Sequence, residues 1–509
     1  MFNFPVPTID FPAILPMVVV MVTGVLALIA ELIWYKRNNA PVIAVSLIGL
    51  AAAAGLLLQQ WGDAPRQAIA NTVVVDAFGL SVQFLLVISC ALALLFSEGY
   101  LREKRIPFGE FYPLALWSTG GAMLMATSKN LLVIFLGLEV LSIALYVMAG
   151  MSRSEERSEE SALKYFLLGS FASGFLLYGI AFIYGATGSL HLDTISMTWQ
   201  TAIETKPMLL FGLGLMLIGL SFKSSFVPFH QWTPDVYQGA PTNVTAFMAA
   251  VSKIAAIATL ARVLEGMFLL REFWIPALSV IAILTMTVGN LVALAQKDVK
   301  RILGYSGIAH AGYLLVGLLA HFRAPERGGL GPVTFYLLSY SLMTIGAFAV
   351  ISMVAKGGKE GTRLADLHGL WKRQPLAAGA LILFVASLIG IPATAGFAGK
   401  FQIFLGAIDA NLTTLAVVLA LNSVLSIAYY LQIGVAAFVS EEDEGAGSAT
   451  LNPGLRSTLT LCAAGVLAVG ILVSPVLNWL VHGSETTSVS AARTPVETSQ
   501  PVALNGETR

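Results

Sequence analysis

Fourteen long apolar runs constrain the fold of this chain more than any other feature of its sequence. A helix needs about 20 mostly apolar residues to cross a bilayer. Hydrophobic residues make up 57% of the 509 and charged residues 11%, against about 25% charged in an ordinary soluble domain. We therefore expect an all-α integral membrane protein with about 14 transmembrane helices, near 11–35, 41–60, 72–97, 111–127, 130–150, 162–186, 207–230, 241–267, 272–295, 301–321, 331–355, 376–408, 413–440 and 457–482.

The sequence carries no pattern for redox or nucleic-acid chemistry. The net charge is zero, so no overall field favours nucleic acid or an acidic partner. Cys90 and Cys462 fall in apolar runs without metal-ligand spacing, and we expect both to be small packing residues. There is no cysteine cluster for iron–sulfur ligation and no glycine-rich dinucleotide fingerprint after a strand. We expect the chain to hold no cofactor and no metal of its own.

The loop charges predict the orientation in the membrane. If the amino terminus is outside, the inner loops carry 16 Lys and Arg residues and the outer loops carry 6. This excess agrees with the positive-inside rule. Both termini are therefore expected on the outer side. The segment 483–509 is rich in Ser, Thr, Glu and Pro, which predicts a disordered polar tail.

Two of the apolar runs contain residues that interrupt helices. Pro228 follows Lys223 in the seventh run, and Gly390 and Pro392 precede Lys400 in the twelfth. Proline removes a backbone donor and clashes with the preceding turn, so both helices should break within the membrane. A simple proline kink in an inert helix is the alternative. Paired breaks in two halves of a chain, each beside a lysine, are typical of an inverted-repeat transporter site.

Six of the titratable residues inside the apolar runs are candidates for function, because a charge there is costly. Insertion scales put that cost at roughly 3 kcal/mol for a lysine at mid-membrane, and such residues usually face a polar interior. The predicted proton-relay residues are Glu139, Lys164, Lys223, Lys253, His310 and Lys400.

A carboxylate and a lysine form the predicted control point of this relay. Glu139 is the natural partner of Lys223, because a carboxylate within about 5 Å favours the ammonium while desolvation opposes it. Lys253 falls in the middle of the eighth run. Lys400 stands alone in the second half, which indicates a terminal proton acceptor or donor.

Four residues allow a purely structural explanation. Lys164 is near a helix end and could snorkel to the interface, and His310 could be a packed, hydrogen-bonded histidine. Arg262 and Glu265 are one turn apart in the eighth run, and we expect an interfacial ion pair between them.

Three ordered segments carry a family resemblance that extends over the chain up to the polar tail. They are GEFYPLALWSTGGAMLMATSKNLLVIFLGLEVLSIALYVMAG, SEESALKYFLLGSFASGFLLYGIAFIYGATGSL and FKSSFVPFHQWTPDVYQGAPTNVTAFMAAVSKIA. These segments resemble the N-type antiporter-like subunits of respiratory complex I, the proton-pumping NADH:quinone oxidoreductase. The resemblance implies two inverted five-helix repeats with broken helices 7 and 12 and a central polar axis.

The resemblance assigns the same residues to that axis. It implies that Glu139 is the helix-five glutamate, Lys223 the lysine of the broken seventh helix and Lys253 the lysine of helix eight. It likewise matches Lys164 to a lysine on helix six and Lys400 to the helix-twelve lysine of the N type. Ser252 departs from the family pattern, which commonly has proline before the helix-eight lysine, and this leaves the local helix shape open.

The same resemblance predicts how the chain is divided. We expect helices 1–3 at 1–110, a first antiporter-like repeat (helices 4–8) at 111–267, a second repeat (helices 9–13) at 268–440, a loop and helix 14 at 441–482, and the tail at 483–509.

The implied function is that of a non-redox, proton-translocating subunit. NADH, FMN, iron–sulfur clusters and quinone are expected on partner subunits or their interfaces. The expected partners are the other membrane-arm subunits, including other antiporter-like subunits, together with the lipid bilayer and protons. The expected location is the bacterial inner membrane, with both termini on the periplasmic side.

Two alternatives remain open at this stage. A subunit of a multisubunit sodium/proton antiporter resembles the same family and also uses a buried helix-twelve lysine. A membrane-arm scaffold that no longer pumps is the other, although four central charges argue against it.

Overall fold

The computed structural model describes residues 10–34, 39–104, 106, 109–201, 204–325, 329–356, 359–439 and 451–481. The predicted polar tail at 483–509 and the loop at 441–450 lie outside the described residues.

The described residues form twenty α-helices and four short strands. The helices are α1 Phe11–Trp34, α2 Ala40–Gln59, α3 Ala77–Glu103, α4 Phe111–Thr127, α5 Leu131–Ala149, α6 Glu156–Thr187, α7 Leu192–Thr201, α8 Lys206–Ser224, α9 Trp232–Gly239, α10 Thr242–Phe247, α11 Lys253–Gly266, α12 Arg271–Leu294, α13 Val299–Arg323, α14 Gly331–Ser352, α15 Leu370–Arg373, α16 Pro375–Ile389, α17 Ala395–Asp409, α18 Thr413–Phe438, α19 Pro453–Ile471 and α20 Val473–Val481. The strands form two antiparallel hairpins, β1 Arg66–Ala68 with β2 Val73–Val75, and β3 Ala355–Lys356 with β4 Lys359–Glu360.

The predicted all-α membrane architecture is confirmed. Twelve helical segments of the described chain are long and apolar enough to cross a membrane. Two of the fourteen predicted spans are not among these twelve. Helix α4 has only 17 residues, and the run at 376–408 is divided into α16 and α17 of 15 residues each. The count of fourteen, the two inverted repeats and the division of the chain stay predictions.

Burial identifies the helices at the centre of the bundle. In the most apolar 18-residue stretch of each helix, the share of buried residues differs widely. It is 100% in the segment Thr242–Gly266 and 94% in both α13 and α14, but only 33% in α2 and α6. The outer helices turn large apolar side chains outward, such as Phe171 on α6. Since lipid is as apolar as a protein core, such faces are stable in a bilayer. Lys253 and His310 therefore lie on the innermost helices.

The break predicted in the seventh run is present. Helix α8 ends at Ser224, and Ser225 has a left-handed backbone with φ of 64°. Helix α9 then begins at Trp232, whose indole Nε1–H donates to the carbonyl of Phe222 at 3.0 Å. The Ser225 and Thr233 hydroxyls bond each other across the break at 2.8 Å. Side-chain hydrogen bonds thus connect the two sides of the break.

The twelfth run is broken in the same way. Helix α16 ends at Ile389, and Gly390 adopts φ of 95°, a left-handed conformation that glycine accommodates without strain. Helix α17 begins five residues further on, at Ala395. The break leaves the last carbonyls of α16 without helical donors.

The eighth run has an irregularity of its own. Residues Met248–Ser252 form a π-helical turn between α10 and α11, and Lys253 is the first residue of α11. Single π-turns within α-helices occur frequently at functional sites. Ser252 stands where proline is common in the resembling family, so this chain distorts the helix before Lys253 without a proline.

A buried ion pair joins two distant parts of the sequence. Arg262 is 2% exposed, and its guanidinium donates hydrogen bonds to both carboxylate oxygens of Asp76. Asp76 also caps α3 by accepting from the Gly79 amide at 2.7 Å. The predicted contact with Glu265 exists at 3.5 Å, and Asp76 is a second carboxylate partner of Arg262 that the sequence did not indicate.

A second buried cluster gathers around Glu360 on the hairpin β3–β4. The Lys300 ammonium donates to this carboxylate at 2.9 Å and to the Ala240 carbonyl at 2.6 Å. The hydroxyls of Tyr100 and Thr242 also donate to Glu360. Lys300 is fully buried, although its sequence position is that of a loop cation. The cluster ties the hairpin to α3, α10 and α13.

We expect Glu360→Gln to destabilise the protein in a pH-dependent way. Burial by itself raises the pKa of Glu360, but the Lys300 ammonium and the Tyr100 hydroxyl outweigh it, so this pKa lies below its usual value. A carboxyl with a lowered pKa contributes stability above its unfolded pKa of about 4.3, and loses it as the pH falls through the folded value. Removing one partner of a buried pair costs about 3 kcal/mol.

Thermal unfolding of the purified complex at pH 7 and at pH values below 4.3 tests this expectation. The stability difference between wild type and Glu360→Gln should be large at neutral pH and should shrink on acidification. Glu272→Gln, at an exposed position of α12, is the matched control and should change little. A difference that does not depend on pH would contradict the assigned role of the Glu360 carboxylate.

Candidate functional site

Lys223 lies at the end of α8, directly before the first break. Its side chain is buried, and its ammonium donates to the hydroxyl of Ser142 at 2.7 Å and to that of Tyr165 at 3.5 Å. Tyr165 stacks on Trp232, the first residue after the break, with ring centroids 4.5 Å apart. The broken helix thus holds Lys223 among neutral hydroxyl groups.

Glu139 lies near Lys223 without touching it. Its carboxylate accepts from the Ser173 hydroxyl at 2.5 Å, and the described residues show no ion pair between Glu139 and Lys223 within 4.0 Å. Instead, Ser173, Ser142 and Lys223 line a cavity of about 10 Å³, roughly the space for one water molecule. The arrangement separates the predicted pair by two hydroxyls and a space of water size.

Lys253 faces α13 from the first turn of α11. It is 3% exposed, and its ammonium donates to the backbone carbonyl of Gly307 at 2.7 Å. The same ammonium lies 5.9 Å from the ring centroid of Tyr340. A carbonyl and an aromatic face both favour a cation, but neither carries a formal charge.

His310 lies one turn beyond Gly307 on α13 and is fully buried. The Tyr336 hydroxyl is 2.6 Å from Nδ1, and the Tyr430 hydroxyl is 2.9 Å from Nε2. Both ring nitrogens are therefore hydrogen-bonded to neutral groups. The Tyr340 ring, which lies near Lys253, also approaches the imidazole, with a centroid distance of 5.1 Å.

Lys400 shows why a broken helix and a lysine occur together. It lies on α17 and is 6% exposed, and its ammonium donates to the carbonyls of Leu388 at 2.8 Å and Ile389 at 3.0 Å. These are the last carbonyls of α16, at the end of the helix that carries partial negative charge. The ammonium also lies 5.1 Å from the ring centroid of Tyr313.

Lys164 does not join this buried line. Its side chain is 42% exposed and forms ion pairs with Glu160 at 2.6 Å and Asp235 at 3.1 Å. Asp235 in turn pairs with Arg301 at 2.5 Å. These residues form a solvent-accessible charged cluster beside α9, in agreement with the snorkelling alternative. The neighbouring residue on α6 that points inward is Tyr165.

The groups that sequence reasoning missed are mainly neutral hydroxyls. Ser142 follows Glu139 by three residues and Ser306 precedes His310 by four, spacings that place both pairs on one helix face. Tyr336 and Tyr430 are separated from His310 by 26 and 120 residues, and nothing in their local sequence indicates the contact. No group of three or more His, Cys, Asp or Glu side chains suited to a metal occurs in the described ranges.

Comparisons with known proteins show the family to which the chain belongs. Residues 128–426 match the family model described as NADH:quinone oxidoreductase/Mrp antiporter, TM. NADH-quinone oxidoreductase subunit N of Trichlorobacter lovleyi is 41% identical over 93% of this chain and 96% of the relative. Subunit N 1 of Sorangium cellulosum is 44% identical over 90% and 95%, respectively.

Solved structures show the same architecture. A chain of respiratory complex I from Thermus thermophilus with bound aureothin superposes with a TM-score of 0.78 at 36% identity, covering 92% of this chain and 100% of that one. A chain of the Mrp complex from Dietzia sp. gives 0.80 at 22% identity, covering 93% and 97%. At that identity the second likeness concerns the fold alone. The chain belongs to the NADH-quinone oxidoreductase subunit N family of complex I membrane subunits.

Proposed function

We propose that this chain is a non-redox, proton-translocating subunit of NADH:quinone oxidoreductase, and that Glu139, Lys223, Lys253, His310 and Lys400 form its proton relay. The observation that carries the proposal is the set of three lysines buried to 3–6% exposure. Each ammonium is held by hydroxyls or backbone carbonyls, and none forms an ion pair with a carboxylate within the described chain.

The neutral character of these partners supports proton transfer. A structural buried lysine is ordinarily paired with a carboxylate, because an uncompensated charge in a low-dielectric interior is costly. The Lys300–Glu360 pair in this same protein is an example. Lysines held by neutral groups lack that compensation, so they can release a proton without leaving a buried carboxylate unpaired.

The first half of the relay centres on Glu139 and Lys223. Protons from the inner side reach Lys223 near the broken seventh helix. Glu139 is close enough to act on the charge of Lys223 but is not bonded to it. A shift of the carboxylate, or a water in the cavity lined by Ser142 and Ser173, therefore changes the affinity of Lys223 for its proton without breaking an ion pair.

The second half leads from Lys253 through His310 to Lys400, with release on the outer side. Gly307, which holds Lys253, and His310 lie on the same face of α13. The free carbonyls at the end of α16 accept hydrogen bonds from Lys400 and stabilise its ammonium form. Lys164 and its ion pairs with Glu160 and Asp235 lie outside this line, and we assign them to the charged surface beside α9, where incoming protons are collected.

The remaining chemistry belongs to the assembly. NADH, FMN, iron–sulfur clusters and quinone are placed on partner subunits or their interfaces, and neighbouring membrane-arm subunits seal the lateral faces of this one. The complex is placed in the bacterial inner membrane, with both termini of this chain on the periplasmic side. The family membership and the Lys and Arg distribution support these assignments.

We expect Lys223→Ala and Glu139→Ala each to lower proton pumping by the assembled complex. The first removes a proton carrier, and the second removes the charge that controls it. Pumping is measured with a pH-sensitive dye in proteoliposomes, after the subunit content of each purified complex has been verified. Wild-type pumping by a fully assembled variant would contradict the assigned roles, and it is the outcome that a non-pumping scaffold predicts.

The sodium/proton antiporter alternative has weaker support. The likeness to the Mrp complex is below 25% identity and concerns the fold alone, whereas the compared relatives at 41% and 44% identity are named NADH-quinone oxidoreductase subunit N. Purification of the native complex discriminates between the two. Peripheral redox subunits should co-purify with this chain, and their replacement by small membrane subunits alone would favour an antiporter.

A further inference from the structure

The two tyrosines that hold His310 constrain its chemistry. A neutral imidazole has one N–H donor and one bare acceptor nitrogen. Since both nitrogens of His310 are bonded to hydroxyls, one tyrosine donates and the other accepts. No carboxylate in the described part of the chain pairs with His310, so nothing nearby balances the charge of an imidazolium.

Tyr430 connects His310 to the side on which Lys253 lies. Its hydroxyl contacts both His310 Nε2 and the Ser306 hydroxyl. Ser306 directly precedes Gly307, whose carbonyl accepts from the Lys253 ammonium. Tyr430 therefore links the His310 imidazole to the turn of α13 whose Gly307 carbonyl accepts a hydrogen bond from Lys253.

Tyr336 connects the other side of His310 to Lys400. Its hydroxyl contacts Nδ1, and its ring occupies the space that a side chain at Gly399 would fill. Gly399 directly precedes Lys400 on α17. The glycine lets the ring lie against this turn, so that Tyr336 spans the distance from the imidazole to the helix that carries Lys400.

We propose that Tyr430 and Tyr336 are relay residues that carry the proton into and out of His310, which stays neutral and changes tautomer; this rests on the proton relay proposed above. Tyr430 gives its hydroxyl proton to Nε2 and takes one from the Ser306 hydroxyl, which is recharged by the Lys253 ammonium. Nδ1 gives its proton to the Tyr336 oxygen, and the original Tyr336 hydroxyl proton passes to the neutral amine of Lys400. The N–H bond lost by the Lys253 ammonium is balanced by the N–H bond formed on the neutral amine of Lys400.

Tyr430→Phe and Tyr336→Phe test this inference in the assembled complex. Phenylalanine keeps each ring and its packing and removes only the hydroxyl. We expect proton pumping in proteoliposomes to fall about 100-fold in each variant, since a positioned proton donor or acceptor contributes roughly 10²–10⁴ in rate.

Tyr112→Phe is the matched control. Tyr112 lies on α4 and is also fully buried, but its hydroxyl has no hydrogen-bond partner among the described residues. It should pump as wild type does. If the Tyr430 and Tyr336 variants pump as the Tyr112 variant does, or lose pumping only in proportion to lost thermal stability, the inference is overturned.

Lys253→Met, measured in parallel, separates this inference from the relay itself. If the lysine variant is deficient while both tyrosine variants pump normally, the tyrosines are not carriers and the lysine relay stands. If the lysine variant also pumps normally, the relay fails, and the role of the tyrosines fails with it.

Discussion

Lys253→Met is expected to slow proton transfer past the centre of this subunit by about 100-fold, since a positioned proton donor or acceptor contributes roughly 10²–10⁴ in rate. Methionine nearly matches the length of lysine and packs well in apolar surroundings. The Gly307 carbonyl that loses its donor also belongs to the hydrogen-bond ladder of α13. The fold should therefore persist. The measurement is the initial rate of proton uptake into proteoliposomes that contain the purified complex.

Lys129→Met is the control for the loss of a lysine outside the relay. Lys129 pairs with Asp193, whose side chain is 55% exposed, so its replacement should leave pumping unchanged. Equal pumping by the Lys253 and Lys129 variants would remove Lys253 from the relay.

Asp76→Ala is expected to cause the largest loss of stability. It leaves the Arg262 guanidinium buried without its principal carboxylate, which costs about 3–5 kcal/mol. It also removes the cap from α3, which costs about 1 kcal/mol more. Thermal unfolding of the purified complex, together with the amount of this subunit in membranes, should show the loss.

Two variants separate the buried pair from ordinary surface electrostatics. Asp193→Ala breaks the exposed pair with Lys129 and should cost less than about 1 kcal/mol. The double variant Asp76→Ala/Arg262→Leu removes both charges and should recover much of the lost stability. If Asp76→Ala is no worse than Asp193→Ala, the pair does not hold α3 and α11 together.

Features that depend on local sequence could be predicted. The helical spans follow from the length and polarity of the apolar runs, and the two breaks follow from Pro228 and from Gly390 with Pro392. Burial of Lys223, Lys253 and Lys400 follows from their positions inside apolar runs. Each of these is a property of a single apolar run.

Features that depend on contacts between distant segments could not be predicted. Asp76 and Arg262 are 186 residues apart, and helix periodicity offered Glu265 as the nearer partner. Glu139 and Lys223 were expected to meet, but hydroxyls lie between them, and a neutral serine does not stand out in an apolar run. The shape of the helix before Lys253 was left open because Ser252 replaces the usual proline, and the π-turn found there was not predicted.

The central claim is tested most directly by a variant in which Lys223, Lys253 and Lys400 are all replaced by methionine. The measurement is the number of protons that the reconstituted complex translocates per NADH oxidised. The relay predicts either a ratio below that of the wild-type complex or, if electron transfer is strictly coupled, a matching fall in NADH oxidation. A fully assembled variant with the wild-type ratio at the wild-type rate would contradict it.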